Sequence, residues 1–216
     1  MEKRVKNGLD GILKKSSKLM AMRGFRGTSM RDLAEATDRS LAGLYHYFKN
    51  KEELLYLINY RGFRTLLEAA ERINRRDWRL EEKLYTLIYN HIYYFSIHLD
   101  EMRVMMLGTQ DLDSKHARLI KSLKTKYAEA VFNVVNAYVR EKNPGPFSEK
   151  ALTRKTYLLF GMLNWIFGWY SSKKHGSDLD LVNDNFQMFS TGVLATTSDI
   201  SPDIGARLSH TVRNGL

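Results

Sequence analysis

Between positions 28 and 51 the chain gathers hydroxyls, phenols and basic groups at close spacing. Thr28, Arg31, Arg39, Ser40, Tyr45, His46, Tyr47 and Lys51 lie there, with the small Ala42 and Gly43 among them. The chemistry this set suits is the holding of a polyanion. Hydroxyl, phenol and imidazole groups donate hydrogen bonds to phosphate oxygens while the rings pack on sugars. Arg31, Arg39 and Leu41 are the candidates to reach base edges or nearby phosphates. Ala42 and Gly43 leave room for the backbone to approach a groove. Lys51 falls in the first turn of an expected helix, where its charge and the helix N-terminus converge on an anion. Thr28, at the start of another, can do the same with its hydroxyl and backbone N–H.

The charge distribution agrees. The chain has 216 residues, no cysteine and a formal charge of +10. Residues 1–51 hold 12 Lys or Arg against 5 Asp or Glu, so +7 of the excess lies in the first quarter. Without cysteine, disulfides, thiolate metal sites and cysteine nucleophiles are excluded. With a mean hydropathy of −0.40 and no apolar run near 18 residues, a transmembrane helix is not expected. Met1-Glu2-Lys3-Arg4 leads into no apolar segment, so no secretory signal is read, and a cytoplasmic protein is expected.

The elements that must position these residues read as all-α, about nine helices, with only three prolines in the chain. Leu9, Ile12, Leu13, Ser16, Leu19 and Met20 follow helical periodicity up to Gly24. Thr28 or Ser29 caps a short second helix, and Ser40 a third over Leu41–Tyr47. Leu44 and Phe48, at i and i+4, would pin that third helix to Leu33 and Ala34. Asn50, with Glu53, caps a long fourth helix. A fifth spans about Leu80–Leu99, a sixth Glu101–Gly108 and a seventh Ser114–Glu141. Asn143-Pro144-Gly145-Pro146 breaks the chain. An eighth runs from Ser148 to about Lys174, and a ninth, capped by Ser177 with Asp180, reaches Leu194. A loose tail is expected over 198–216.

Three short N-terminal helices, the last two joined tightly, make a helix-turn-helix pattern. The string Leu44-Tyr45-x-x-Phe48-x-x-Lys51-x-x-Leu54-Leu55, with Gly24 to Ala34 before it, resembles the TetR/AcrR family of bacterial transcriptional regulators, strongly over residues 8–60. The resemblance implies a DNA-binding domain at 1–51 and an effector-binding and dimerisation domain at 52–197. It matches Thr28, Tyr45, His46, Tyr47 and Lys51 to positions that touch the DNA backbone. Two residues depart from the pattern. Arg39 stands where a small apolar residue is usual, and Asp38 where Gly is common, although Asp tolerates the left-handed conformation. Tyr45 has two readings, brace of the helix or contact to DNA.

The implied partners are a double-stranded operator, a second copy of the chain and a small organic effector. Two recognition helices would enter successive major grooves, about 34–36 Å apart, at a palindromic site. Aromatic and Met residues are dense in the second domain and suit a plastic apolar cavity. Tyr89, Tyr93, Met102, Arg103, Met106, Tyr127, Met162, Trp165 and Trp169 are the candidate effector contacts. Trp165 and Trp169 share one helical face, expected to turn inward. The run Gly161 to Tyr170 is similar to a subgroup that senses acyl-CoA thioesters. Arg103, Arg118, Lys121 and Lys124 could meet the nucleotide phosphates, or could be solvated surface. Gly161, Gly168, Phe186, Phe189 and Val193 could build a four-helix dimer interface or pack within the chain.

His91 and His98, about 10 Å apart along one helix, cannot share a metal ion, and no cofactor is implied. No P-loop, Gly-x-Ser-x-Gly or His-Glu-x-x-His marks an enzyme. A basic membrane-surface protein, or an acyl-CoA-binding protein without operator function, is the alternative. The first helix lacks the tryptophan and wide apolar face a membrane surface favours.

Overall fold

The computed structural model describes the backbone of residues 2–194 and, Thr109 apart, the side chains of residues 8–193. The tail expected at 198–216 lies outside the described residues. Ten α-helices run in order, and no strand occurs among the described residues. They are α1 (Glu2–Arg23), α2 (Met30–Ala36), α3 (Leu41–Tyr45), α4 (Lys51–Asn74), α5 (Leu80–Ile97), α6 (Leu99–Leu107), α7 (Ser114–Lys142), α8 (Glu149–Asn164), α9 (Ser172–His175) and α10 (Asp178–Leu194).

The short helices owe their ends to local chemistry. Gly24, at φ 74°, stops α1 in a conformation that Gly adopts without steric cost. Ser29, not Thr28, caps α2, its Oγ accepting from the Asp32 amide (3.2 Å) while Asp32 accepts from the Ser29 amide (2.7 Å). That pairing satisfies two amide donors at the helix start. Asp38 takes φ 55° between α2 and α3, as its small polar side chain allows, and pairs with Lys15. Ser40 caps α3 through the Gly43 amide at 3.0 Å. The α3 helix ends at Tyr45, two residues short of the expected Tyr47. Asn50 caps α4 by accepting from the Glu53 amide (2.8 Å), and Glu53 accepts in turn from the Lys49 amide (2.6 Å).

The α4 helix is the spine. It contacts α5, α6 and α7 and also meets α1. Its apolar stripe of Leu54, Leu55, Ile58, Phe63, Leu66, Leu67, Ala70 and Ile73 is buried. Gly62 lets α6 approach, because a Cβ there would collide with the Met105 side chain. The α1 helix packs on α6 and α10 packs on α5, so the first helix of the N-terminal module rests on the larger helical body.

The expected eighth helix does not continue to Lys174. It stops at Asn164, passes through a 3-10 turn over Trp165–Gly168 and resumes as the short α9. The cause is tertiary. Tyr170 is buried and its hydroxyl donates to Asp178 Oδ1 (2.6 Å) at the start of α10, with Gly176 O 3.1 Å away, which draws the chain inward. Ile166 and Tyr170 turn into the core. Trp165 and Trp169, expected to face inward, are 63% and 47% exposed.

Candidate nucleic-acid interface and ligand cavity

Five residues of helix cannot hold themselves. The α3 helix is held by Leu44 and Phe48, both buried with Leu33 and Ala34 in one core cluster. This fixes what remains outside. Leu41, Ala42, Tyr45, His46 and Lys49 are exposed, as are Arg31 and Arg39 on the turn side. Tyr45, which had two readings, is 49% exposed and so is no core brace. Tyr47 is half-buried, with the Arg39 guanidinium 5.7 Å from its ring centroid. Ser40 has its hydroxyl committed to the cap, and Gly43 lies beneath that hydroxyl.

Two residues expected at the DNA backbone are engaged within the chain. Thr28 is buried, with its hydroxyl donated to Gly24 O (2.9 Å) and its amide to Phe25 O (3.3 Å). It has no free donor for a phosphate. The Lys51 ammonium donates to Phe25 O and Thr28 O, each at 2.7 Å, and sits 4.3 Å from the centroid of the Phe25 ring. It ties α4 to the α1–α2 turn. Lys49, in the turn after α3, is exposed on this side and was not singled out in the sequence.

The same turn is tied to α6's end, where Arg26 pairs with Asp111 at 2.9 Å. Deeper in the junction, Arg61 of α4 joins Asp10 of α1 (2.8 Å) to Glu101 of α6 (2.6 Å), and His98 lies 3.1 Å from the same Glu101 carboxylate. Burial alone would raise the Glu101 carboxyl, but His98 and Arg61 outweigh it and hold the group below its ordinary range. Sequence spacing carries no sign of this network, because its members come from three helices.

A cavity of about 330 Å³ opens between α4, α5, α7 and α8, at the small end of ligand sites. Phe63, Leu66, Phe95, Met106, Tyr127 and Phe160 line it, with His91 and Asn164 in its wall and Lys121 and Lys124 on α7. Lys124 lies 4.9 Å from the centroid of the Phe63 ring, and burial lowers its pKa.

Of the expected effector contacts, Met106 and Tyr127 line this cavity. The rest do not. Met102 is fully buried in the core, and Met162 is half-buried against it. Tyr89 and Tyr93 stack on each other at 5.6 Å and are exposed. Tyr93 borders a separate cleft shared by α1, α4 and α5. Arg103 reaches the Phe167 carbonyl (3.4 Å) and Asp100 (3.7 Å), and borders a different cleft from the one that Lys121 and Lys124 border. Trp165 and Trp169 are turned out by the 3-10 turn.

The expected dimer set divides as well. Phe189 and Val193 are buried within the chain, and Phe186 packs edge-on to Tyr85 at 5.3 Å. The Trp165 ring covers Gly168, whereas Gly161 faces open space. Among the described residues, no group of three or more His, Cys, Asp or Glu could hold a metal ion. No described helix is long and apolar enough to cross a membrane.

This arrangement meets its counterpart in known proteins. Residues 12–56 match the model for bacterial regulatory proteins of the tetR family, and residues 77–192 match the tetracyclin repressor-like C-terminal domain. The chain belongs to the TetR family. Its members are transcriptional regulators rather than enzymes. A probable HTH-type transcriptional regulator of Bacillus subtilis, YttP, is 31% identical over 125 residues, which span 55% of this chain and 59% of that protein. The fold of this TetR-family chain also superimposes on solved regulators. PfmR from Thermus thermophilus has a TM-score of 0.74 at 24% identity, with 83% of this chain and 97% of that one covered. AibR, solved in complex with isovaleryl coenzyme A and operator DNA, has a TM-score of 0.72 at 23% identity, with 83% and 97% covered.

Proposed function

We propose that this chain is a cytoplasmic, homodimeric transcriptional repressor, released from a palindromic operator by a small organic effector with an apolar portion, of which an acyl-CoA is the leading class. The observation that carries this reading is the path of α4. Its first turn holds the module that presents α3, through Lys51. About 2 nm further along, its residues Phe63 and Leu66 form a wall of the apolar cavity. An effector that prefers one setting of α4 would thereby change how α3 is presented. Tight binding without such a preference would shift nothing.

Three features support the finer parts of the reading. Tyr45, His46, Arg31, Arg39 and Lys49 give an exposed donor face suited to phosphate and base edges. Lys121 and Lys124 set cations at an otherwise apolar cavity, as a ligand with a buried tail and an anionic head requires. Tyr157, Leu158, Gly161 and Trp165 of the α8 segment, with Met188 and Gly192 of α10, form an exposed surface that a second copy would cover. This surface replaces Phe189 and Val193 in the dimer assignment. AibR, which was solved with an acyl-CoA and DNA together, gives the precedent within the fold.

The test is selection of bound duplexes from a random pool, followed by footprinting with and without hexanoyl-CoA. Two protected half-sites one helical turn apart, cleared by the thioester, are expected. Thioester binding with no selected sequence would instead identify an acyl-CoA-binding protein without operator function.

A further inference from the structure

The cavity of the effector site holds one polar arrangement that its apolar walls do not explain. His91 is 1% exposed and Tyr127 is 6% exposed, and the Tyr127 hydroxyl lies 2.8 Å from His91 Nδ1. That contact is the hydroxyl's only hydrogen bond among the described residues; donation by the phenol to Nδ1 leaves one buried group unmet, whereas donation by Nδ1–H would leave two, the phenol proton and Nε2. Burial pushes the imidazole down to about 3, against the polar Asn164 side chain beside it, which favours the protonated form, so the ring is neutral. A neutral ring that accepts at Nδ1 carries its proton on Nε2. His91 Nε2 is buried and has no hydrogen-bond partner among the described residues. The Phe95 ring, at 4.5 Å and edge-on, offers it no acceptor, and the Asn164 amide, though beside the imidazole, makes no hydrogen bond of normal geometry with it.

An unmet donor in the wall of an apolar cavity is costly unless a ligand meets it. We propose that His91 Nε2–H is the specificity-determining donor of this cavity, and that it receives a neutral carbonyl oxygen of the effector, as in a ketone, ester or thioester. The inference rests on the reading of this cavity as the effector site. A carboxylate suits the position less, because it would lose its hydration beside an uncharged ring. The cations Lys121 and Lys124 are the places for negative charge.

Two matched pairs of probes test this on the full-length protein. Acetophenone and ethylbenzene differ by a carbonyl in place of a methylene; hexanoyl-CoA and its S-hexyl thioether differ likewise. In the wild type the carbonyl member of a pair should bind about tenfold more tightly, and the His91 Nε2 resonance should move in ¹⁵N-histidine spectra. In His91→Phe the preference should vanish. Should that variant not fold, the wild-type spectra still decide, since an Nδ1–H tautomer would overturn the proposal. Equal affinities within both pairs, or no response at His91 to any of the four probes, would overturn it too. A preference for acetophenone with neither CoA compound bound would keep His91 and discard the acyl-CoA class. A carbonyl preference with no effect on DNA retention would keep His91 as a carbonyl donor and discard the effector reading.

Discussion

The Lys51 ammonium lies 2.7 Å from the carbonyl oxygen of Thr28, so a charge that sequence would send to a phosphate instead closes a turn of its own chain. The consequence is measurable. A phosphate contact removed from a DNA-binding protein lowers the salt dependence of binding by about one unit of slope. Lys51→Met should leave that slope unchanged while lowering the melting temperature and weakening binding to every duplex. A reduced slope at unchanged melting temperature would return Lys51 to the DNA.

Tyr45 and His46 should behave in the opposite way. Both are exposed, so the double change Tyr45→Ala and His46→Ala should alter stability by no more than about 0.5 kcal/mol. Binding should weaken by roughly similar factors across sequences, because phosphate contacts carry no base information. Calorimetry beside gel retardation checks this. Unaltered retention would show that α3 meets DNA by another face.

The ion network at the α1–α4–α6 junction, buried at Glu101 and part-exposed at Arg61, predicts an asymmetry. Glu101→Gln alone leaves the Arg61 guanidinium without its nearest charge. Removal of one member of a fully buried pair costs about 3–5 kcal/mol, and less where, as here, the Arg61 side chain is part-exposed and keeps Asp10, whereas apolar replacement of both is often neutral. Arg61→Leu with Glu101→Met should therefore be more stable than either single change in a urea titration. The Glu101 carboxyl is held below its unfolded value, so its contribution is present above the ordinary carboxylate range and lost as pH falls through the folded value.

His91 should make the fold acid-sensitive in a different window. Its folded pKa, about 3, lies below the ordinary value of 6.5. Between these limits the unfolded chain binds a proton that the folded one refuses, so stability falls with decreasing pH, by at most about 1.4 kcal/mol per unit. Urea midpoints measured from pH 7 to pH 4 should show a shallower decline in His91→Phe than in the wild type. Parallel declines would mean that His91 is charged or hydrated in the fold.

The outward surface of α8 and α10 predicts the assembly. Leu158→Glu with Trp165→Glu alters two exposed side chains, so the helical fold should persist while sedimentation shows a monomer. Operator affinity should fall by more than a hundredfold, as expected when two half-sites are no longer engaged together. A dimer that survives would place its interface elsewhere.

Local chemistry was legible from the residues themselves. The caps at Ser40, Asn50 and Ser148 and the inward pair Leu44 and Phe48 follow from spacing, because a cap and an i, i+4 face are settled within a turn or two of chain. The end of α8 was not legible. Trp165 and Trp169 share a face with a helix only while the helix lasts, and it ends because Tyr170 is held at the start of α10. Phe189 and Val193 follow helical spacing on one face, which leaves a dimer interface and packing within the chain both open. Which neighbour covers that face is decided by α5 and α8, distant in sequence. The cavity was legible only as a composition. Of nine residues expected to meet a ligand, Met106 and Tyr127 do line it, and His91 was considered only as half of a metal pair.

Gly62 and Met105 make one sulfur a gauge of the contact between α4 and α6. The Met105 thioether is wholly buried in the notch that the missing Cβ leaves, and a sulfoxide oxygen has no place to go while α6 lies on α4. Oxidant can reach that sulfur only in moments when the two helices part. The rate at which Met105 gains an oxygen would thus report how often α6 parts from α4.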